Sequence, residues 1–221
     1  MKRLYILSLL LVSLIPVHMS AQYYEIATQL PQLISPALSG SFNYKGYVEL
    51  SGLAGLGHNR ANDIGISTSQ GFRYASWFFM GVGTGVDVMM AQQPEGWLPS
   101  PDFDYMYRRS SKTKVMIPVF TDFRFNIGPE SGTSMFVDLK LGAAWLLGND
   151  DLRMADGFMT NTTQFFFRPT VGVRIPVSAT SPRQAVNVGV TYQMLTSNNN
   201  YYWRSNSLTL NNLGVSIAYE W

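Results

Sequence analysis

The chain contains no cysteine, so no disulfide can staple it, no thiolate can hold a metal, and no lipid-anchored cysteine can follow a leader. Charge is also scarce: Asp, Glu, Lys and Arg make up only 14% of the 221 residues, no more than the aromatics, which also reach 14%. That mixture is too uncharged for a disordered chain and unusually aromatic for a water-soluble one. Histidine is nearly missing, with two in the sequence, His18 and His58. Beyond the N-terminus no stretch stays apolar for the roughly 20 residues that a membrane-spanning helix requires. If this chain crosses a membrane, it crosses as strands.

What is present begins with a leader. Lys2 and Arg3 precede an almost uninterrupted apolar run from Leu4 to Val17, and Met19-Ser20-Ala21 forms a cleavage site before Gln22. Residues 1–21 therefore read as a cleaved signal peptide that exports the chain from the cytoplasm, and His58 becomes the only histidine of the mature protein. Of 16 Lys+Arg and 14 Asp+Glu, two basic residues leave with the leader, so the mature chain is formally neutral. Its basic pI gives no ground for a nucleic-acid partner.

From residue 42 onward apolar and polar side chains alternate with the period of two that a strand with two different environments requires. Strands are expected at 42–57, 63–76, 77–91, 112–127, 134–147, 163–176, 184–197 and 207–221. One face is apolar throughout, as in Val115, Ile117, Val119, Phe123 and Phe125, or Leu213, Val215, Ile217, Tyr219 and Trp221. Connections near 58–62, 92–111, 148–162 and 198–206 are mostly longer than those near 75–77, 128–133 and 177–183, which fits long outer loops and short periplasmic turns. Phe72, Tyr74, Phe78, Phe165, Phe167, Tyr219 and Trp221 cluster near strand ends, as interfacial girdles do. The expectation is an all-β fold: a closed, eight-stranded, antiparallel transmembrane β-barrel with up-and-down connectivity over 42–221, in the outer membrane. A soluble sandwich or lipocalin-like barrel also alternates, but buries its apolar face inside.

The opposite face then lines the lumen, and it carries Lys45, Glu49, Arg73, Asp87, Lys114, Asp122, Arg124, Asp138, Lys140, Arg168, Arg174 and Glu220. If the 128–133 turn is symmetrical, Arg124 faces Asp138 and Asp122 faces Lys140, two pairs of unlike charge. Eight strands enclose a space that side chains can fill. A lumen plugged by charge pairs is expected, with Gly81, Gly83, Gly85, Gly142, Gly172, Gly189 and Gly214 making room for the long basic side chains. A narrow pore for small solutes is the alternative. Residues 22–41, apolar but broken by Pro31 and Pro36, do not fit a strand and read as a periplasmic docking or plugging segment.

Four stretches resemble known proteins. Phe72-Arg73-Tyr74 running into Phe78-Phe79-Met80-Gly81-Val82-Gly83, and Ile117-Pro118-Val119-Phe120-Thr121-Asp122-Phe123-Arg124-Phe125, are similar to small outer-membrane β-barrels of the Bacteroidota. Tyr219-Glu220-Trp221 resembles the aromatic-ended last strand that barrel assembly machinery recognises, which makes that machinery an implied partner beside outer-membrane lipid. Ser35-Pro36-Ala37-Leu38-Ser39-Gly40 looks like the Asn-Pro-Ala-x-x-Gly start of the PorP/SprF barrels that accompany type IX secretion, with Ser35 standing where that family has Asn. These resemblances imply an architecture and leave activity open.

Chemistry-bearing constellations are few. His58, with Asn59, Arg60, Ser51, Asp63 and Ser67 nearby in sequence, nominally offers a base, a nucleophile and an orienting acid, and a lipid-modifying enzyme is the reading it serves. A lone loop histidine is more often a solvated side chain, and no catalytic residue is assigned. Asp102 and Asp104, and Asn149, Asp150, Asp151 and Asp156, offer oxygen ligands without EF-hand spacing, so no metal or cofactor is expected. The glycines of 81–85 lie inside an alternating strand and lead into no helix, which excludes a phosphate-binding loop. Trp97 and the run Tyr201, Tyr202, Trp203 and Arg204 concentrate aromatic area in connections, either as a recognition patch for an envelope protein partner or as headgroup anchors. The role expected is non-enzymatic, structural or interactive, in the cell envelope.

Overall fold

A computed structural model of the chain describes residues 43–57, 60–92, 110–129, 131–148, 151–152, 163–178, 181–201 and 204–221. The strands are β1 (Asn43–Leu56), β2 (Arg60–Ala75), β3 (Phe78–Gln92), β4 (Ser110–Ser111), β5 (Thr113–Ile127), β6 (Ser134–Leu146), β7 (Asp151–Leu152), β8 (Gln164–Ser178), β9 (Ser181–Tyr201) and β10 (Arg204–Glu220). Eight of them close into one barrel in the order β1-β2-β3-β5-β6-β8-β9-β10, each antiparallel to its sequence neighbour in the wall. Closure is made by β1 and β10, from Tyr47 opposite Glu220 to Leu56 opposite Asn211. No edge strand is left, so every wall strand has its backbone groups paired on both sides, the condition for placing a sheet in lipid. The expected leader, 1–21, and the docking segment, 22–41, lie outside the described residues.

Two rims follow from this order. The near rim carries the start of β1, the end of β10, the tight turn Ser76–Trp77, and the connections 128–133 and 179–180. The far rim carries the connections after β1, β3, β6 and β9. Positive φ at Gly57 and Gly148, at the far-rim ends of β1 and β6, and at Gly128, after β5, lets the chain leave the ladder at angles that other residues rarely adopt.

The distribution of side chains is the reverse of a soluble barrel. Leu50, Ile64, Val190 and Val215 point outward and are each more than half exposed, whereas charged residues point inward and are buried. Among the described residues of the wall strands, Arg60, at the far-rim start of β2, is the sole charge at an outward position. An apolar belt of this extent is unstable in water and is what the hydrocarbon of a bilayer solvates. Aromatics rim it on the near side, where Trp77 and Phe125 stack at 6.2 Å, Tyr219 and Trp221 at 6.3 Å, and Tyr44 meets Phe72 edge-on at 6.0 Å.

The last hairpin departs from expectation. Residues 198–206 were expected as a loop, but β9 and β10 stay paired out to Arg204 opposite Tyr201. The Asn198–Asn200 run lies opposite Ser205–Ser207 in that ladder. Backbone pairing needs no apolar alternation, so a polar hairpin can continue where the alternation stops.

Candidate functional site

The lumen concentrates the chemistry of the described residues. Its buried charged side chains are Lys45, Lys114, Arg124, Lys140, Arg168 and Arg174 against Glu49, Asp63, Asp87, Asp122, Asp138 and Glu220, six of each sign. Alternation puts them there: along β5, for example, the inward positions are Lys114, Met116, Pro118, Phe120, Asp122 and Arg124, all buried.

They are organised in tiers. Nearest the near rim, Arg174 of β8 donates from Nε to Glu220 Oε2 of β10 at 2.8 Å, and Lys45 of β1 joins the same carboxylate. In the middle tier Arg124 and Asp138 are opposite one another on β5 and β6 and bonded at 2.7 Å. The Arg124 guanidinium also lies over the Tyr47 ring at 4.0 Å and the Phe136 ring at 4.7 Å, giving a cation without bulk water a π face on which to rest. Above it, Arg168 of β8 donates to Asp87 of β3 at 2.5 Å and to Gln193 of β9 at 2.7 Å. Gln193 donates in turn to Asp63 of β2 at 2.7 Å.

Several of these contacts cross the lumen between strands that are not neighbours in the wall. Lys140 of β6 reaches Glu49 of β1 at 2.7 Å, Arg168 spans to Asp87, Asn212 of β10 donates to the Ala61 carbonyl of β2 at 2.6 Å, and Ser69 of β2 donates to Asp122 of β5. Each ties two parts of the wall that the ladder does not join directly. Breaking one partner of a fully buried pair costs about 3–5 kcal/mol, so these ties hold both the position of the walls and the filling of the lumen.

Toward the far rim the filling changes character. Met89, Met116, Phe120, Leu146, Phe166, Leu195 and Leu210 form an apolar cluster inside the barrel, with the Phe120 and Phe166 rings stacked at 5.7 Å. Leu152 completes it, and Leu152 belongs to β7, in the connection between β6 and β8. β7 pairs in parallel with β4, from the connection between β3 and β5, so two far-rim connections join and lower one leucine into the lumen.

The sequence-predicted site residues fall as follows. The register about the 128–133 turn is the symmetrical one, with Asp122 opposite Lys140 as well as Arg124 opposite Asp138. The side chains of the first pair nevertheless part: Asp122 accepts from Ser69, while Lys140 bonds Glu49 at 2.7 Å and lies 3.4 Å from Asp138. Lys140 is long enough to cross the barrel, and the inward pleat aims it at β1. Arg73 is half-buried at the near rim, and Asp87, Arg168 and Arg174 are buried in the pairs described. Asp63 was missed as a lumen residue because it was set at a strand start; β2 begins at Arg60, and Asp63 is fully buried. The glycines do less for the basic side chains than expected. A Cβ at Gly83 would strike the Phe120 ring, one at Gly172 the Phe136 ring and the Val188 carbonyl, and one at Gly142 the Val119 carbonyl, so the room is taken by aromatic rings and close backbones.

His58, Trp97, Tyr202 and Trp203 lie outside the described residues, as do Asp102, Asp104, Asn149, Asp150 and Asp156. Tyr201 and Arg204 end a ladder and are not loop residues. Ser51 and Ser67 are buried in the lumen, and Asp63 is engaged by Gln193, so these three do not assemble a nucleophile and acid on the outer surface.

A closed antiparallel barrel with an apolar outside, an aromatic near rim and buried ion pairs inside is a transmembrane β-barrel of eight strands. No family model and no curated protein matches the chain. Solved structures do match: Neisserial surface protein A (NspA) has a TM-score of 0.51 and 11% identity, covering 80% of this chain and 95% of that one. The outer membrane enzyme PagL has a TM-score of 0.48 and 12% identity over 79% of this chain and 97% of its own. The outer membrane protein OprG from Pseudomonas aeruginosa has a TM-score of 0.40 and 10% identity over 80% and 95%. The first likeness shows a shared fold and extends no further.

Proposed function

We propose that this protein is a non-enzymatic integral barrel of the outer membrane, exported through a cleaved leader, with a structural or interaction role in the cell envelope. The observation that carries the proposal is the filled lumen: among the described residues, buried ion pairs tie the walls together beneath an apolar stopper, with Leu152 drawn in from outside the wall. A transport path would need mobile water where these side chains stand. A Ser-centred lipid enzyme would need its nucleophile at the lipid face, whereas Ser51 and Ser67 face inward. The stretches around Phe72 and Ile117 support placing it with small Bacteroidota barrels, and the Ser35–Gly40 stretch supports type IX machinery as the partner to look for first.

The test is single-channel recording in planar bilayers, run beside native-size analysis of the tagged protein extracted in mild detergent. The expected result is no stable conductance and a heat-modifiable barrel that co-purifies with an envelope protein. A steady conductance that shifts in Arg124→Ala or Asp138→Ala would replace this reading with the narrow pore. Lipid turnover abolished by His58→Ala would replace it with the enzyme.

A further inference from the structure

In the near half of the lumen several buried polar groups have hydrogen bonds to make and, among the described residues, no protein atom to make them with. Asn187 of β9 faces inward and is 1% exposed, yet neither its amide nitrogen nor its amide oxygen has a partner. The Tyr47 hydroxyl on β1, in a residue 2% exposed, has none either. Arg124 of β5 holds Asp138 through Nη2, while its Nε and Nη1 are unmatched. One inward step further along β5, the buried amide oxygen of Asn126 is also unmatched. Native proteins meet buried groups of this kind with protein or with water, because leaving them dry opposes folding.

These groups are continuous with the near mouth. A cleft of about 200 Å³ at that rim is lined by Arg73, Ser76, Asn126, Gly128, Ser134 and Arg174. Asn126 leads from it along β5 to Arg124, whose guanidinium lies over the Tyr47 ring at 4.0 Å, and Arg174 stands directly opposite Asn187. Toward the far rim Met89, Phe120, Phe166, Leu195 and Leu210 offer no side-chain group that water could serve. The mixture of unmatched groups also selects what can answer them. Arg124 and the Asn187 nitrogen are donors, the Asn187 and Asn126 oxygens are acceptors, and the Tyr47 hydroxyl is either. An anion would serve only the donors and a metal ion only the acceptors, and the charge of Arg124 is already met by Asp138 at 2.7 Å. Water serves both kinds and typically makes about three bonds when buried.

We propose that the near half of the lumen is a blind-ended, hydrated vestibule: internal waters bridge Asn187, Tyr47, Arg124 and Asn126, exchange with the near-side solvent through the cleft, and stop at the apolar cluster. Its blind end rests on the sealed-lumen reading above; its hydration does not. The protein then has one wet mouth and one dry one, and water or a small neutral solute able to donate and accept hydrogen bonds enters from the near side without crossing.

The experiment is solid-state NMR of the full chain in lipid vesicles, with magnetisation transferred from mobile water to the protein and water itself as the probe. One strand, β9, carries the test and both references: Gln184 is exposed near the near rim, Asn187 is the buried amide in question, and Leu195 is buried in the apolar cluster. The Asn187 side-chain amide and Arg124 Nε are expected to build up signal alongside the Gln184 amide, and Leu195 to lag with the lipid-facing Val190. Asn187 and Arg124 lagging with Leu195 would overturn the vestibule and leave the sealed lumen standing. Leu195 building up as early as Gln184 would overturn the blind end and the sealed lumen together. Tyr47→Phe supplies a second measurement, because it removes a hydroxyl and little else. If water holds that hydroxyl, the urea midpoint in vesicles falls; a midpoint that rises would mean that the hydroxyl was buried dry, and would overturn hydration at that position.

Discussion

Replacing Arg168 by methionine should be the most damaging conservative change in the lumen, and the reason lies in what it would strand. Arg168 is fully buried and sits 2.5 Å from Asp87 and 4.0 Å from Asp63, both of them also fully buried. It is the cation that the ion pairs of the described residues give to these two carboxylates, and it donates to Gln193 as well. Arg168→Met keeps most of the side-chain length and leaves two acids facing each other without a counter-charge, which costs about 3–5 kcal/mol. Asp87→Asn keeps an acceptor on Arg168 and leaves Asp63 as its partner, so the loss falls to about 1–3 kcal/mol. Asp63→Asn removes only the longer ion pair while an amide oxygen still accepts from Gln193, and about 1 kcal/mol is expected. The triple variant Arg168→Met with Asp63→Asn and Asp87→Asn has no stranded charge and should recover most of the stability lost in the single Arg168 variant, since neutral replacement of a buried cluster is often close to free of cost. Equilibrium urea unfolding in lipid vesicles, followed by tryptophan fluorescence, gives the ordering. If Arg168→Met lies within about 1 kcal/mol of Asp63→Asn, or if the triple variant is no more stable than Arg168→Met, the cluster is not held by charge compensation and the argument from paired lumen charge fails.

Val190 faces outward in the middle of β9 and is 57% exposed, so Val190→Arg should cost about 2–4 kcal/mol in a bilayer and almost nothing in a water-soluble barrel; urea unfolding in vesicles reads the difference. Gly142→Val should prevent closure of the β5–β6–β8 wall, because a Cβ at that position would collide with the Val119 carbonyl, while Gly52→Val, whose Cβ would meet nothing within 4 Å, should keep a normal heat shift on an unheated gel. Phe120→Ala should cost about 3–5 kcal/mol through the cavity left against Phe166, and a small channel conductance appearing in that variant alone would mark the apolar cluster as the seal.

What could be read from the chain is what depends on neighbours in sequence. Alternation sets which side chain faces which way, and a tight turn sets register, so Arg124 opposite Asp138 followed from the symmetry of 128–133 alone. Strand ends were placed within a few residues except where polar strands run on, as in the β9–β10 hairpin. The contacts that cross the barrel were not legible. Lys140 to Glu49 joins β6 to β1, and Arg168 to Asp87 joins β8 to β3, pairs fixed by how the sheet closes and how far its strands are staggered. Inward methionines and phenylalanines such as Met89 and Phe120 were equally hidden, because an apolar residue at a lumen position looks like noise in the alternation until its neighbours across the barrel are known. The signal was there for Asp63: it opens the strand expected at 63–76, and its odd number shares parity with Ser67, Ser69 and Arg73, which puts it on the lumen face.

This division between local and closure-dependent contacts also says where a function can sit. Eight strands leave a lumen only wide enough for side chains, and here, among the described residues, its buried charges stand six against six. The field at each rim is then set by the rim's own residues. At the far rim Lys114 stands close to Gly148 under two joined connections, and the apolar cluster below them separates that mouth from the paired charges. At the near rim, among the described residues, Arg73 and Arg183 stand beside the tier in which Lys45 and Arg174 share Glu220. The two ends of the molecule are chemically distinct although the wall between them is continuous. Substitutions among the paired lumen charges should therefore act on stability, and a change in what the protein binds should be sought at the rims.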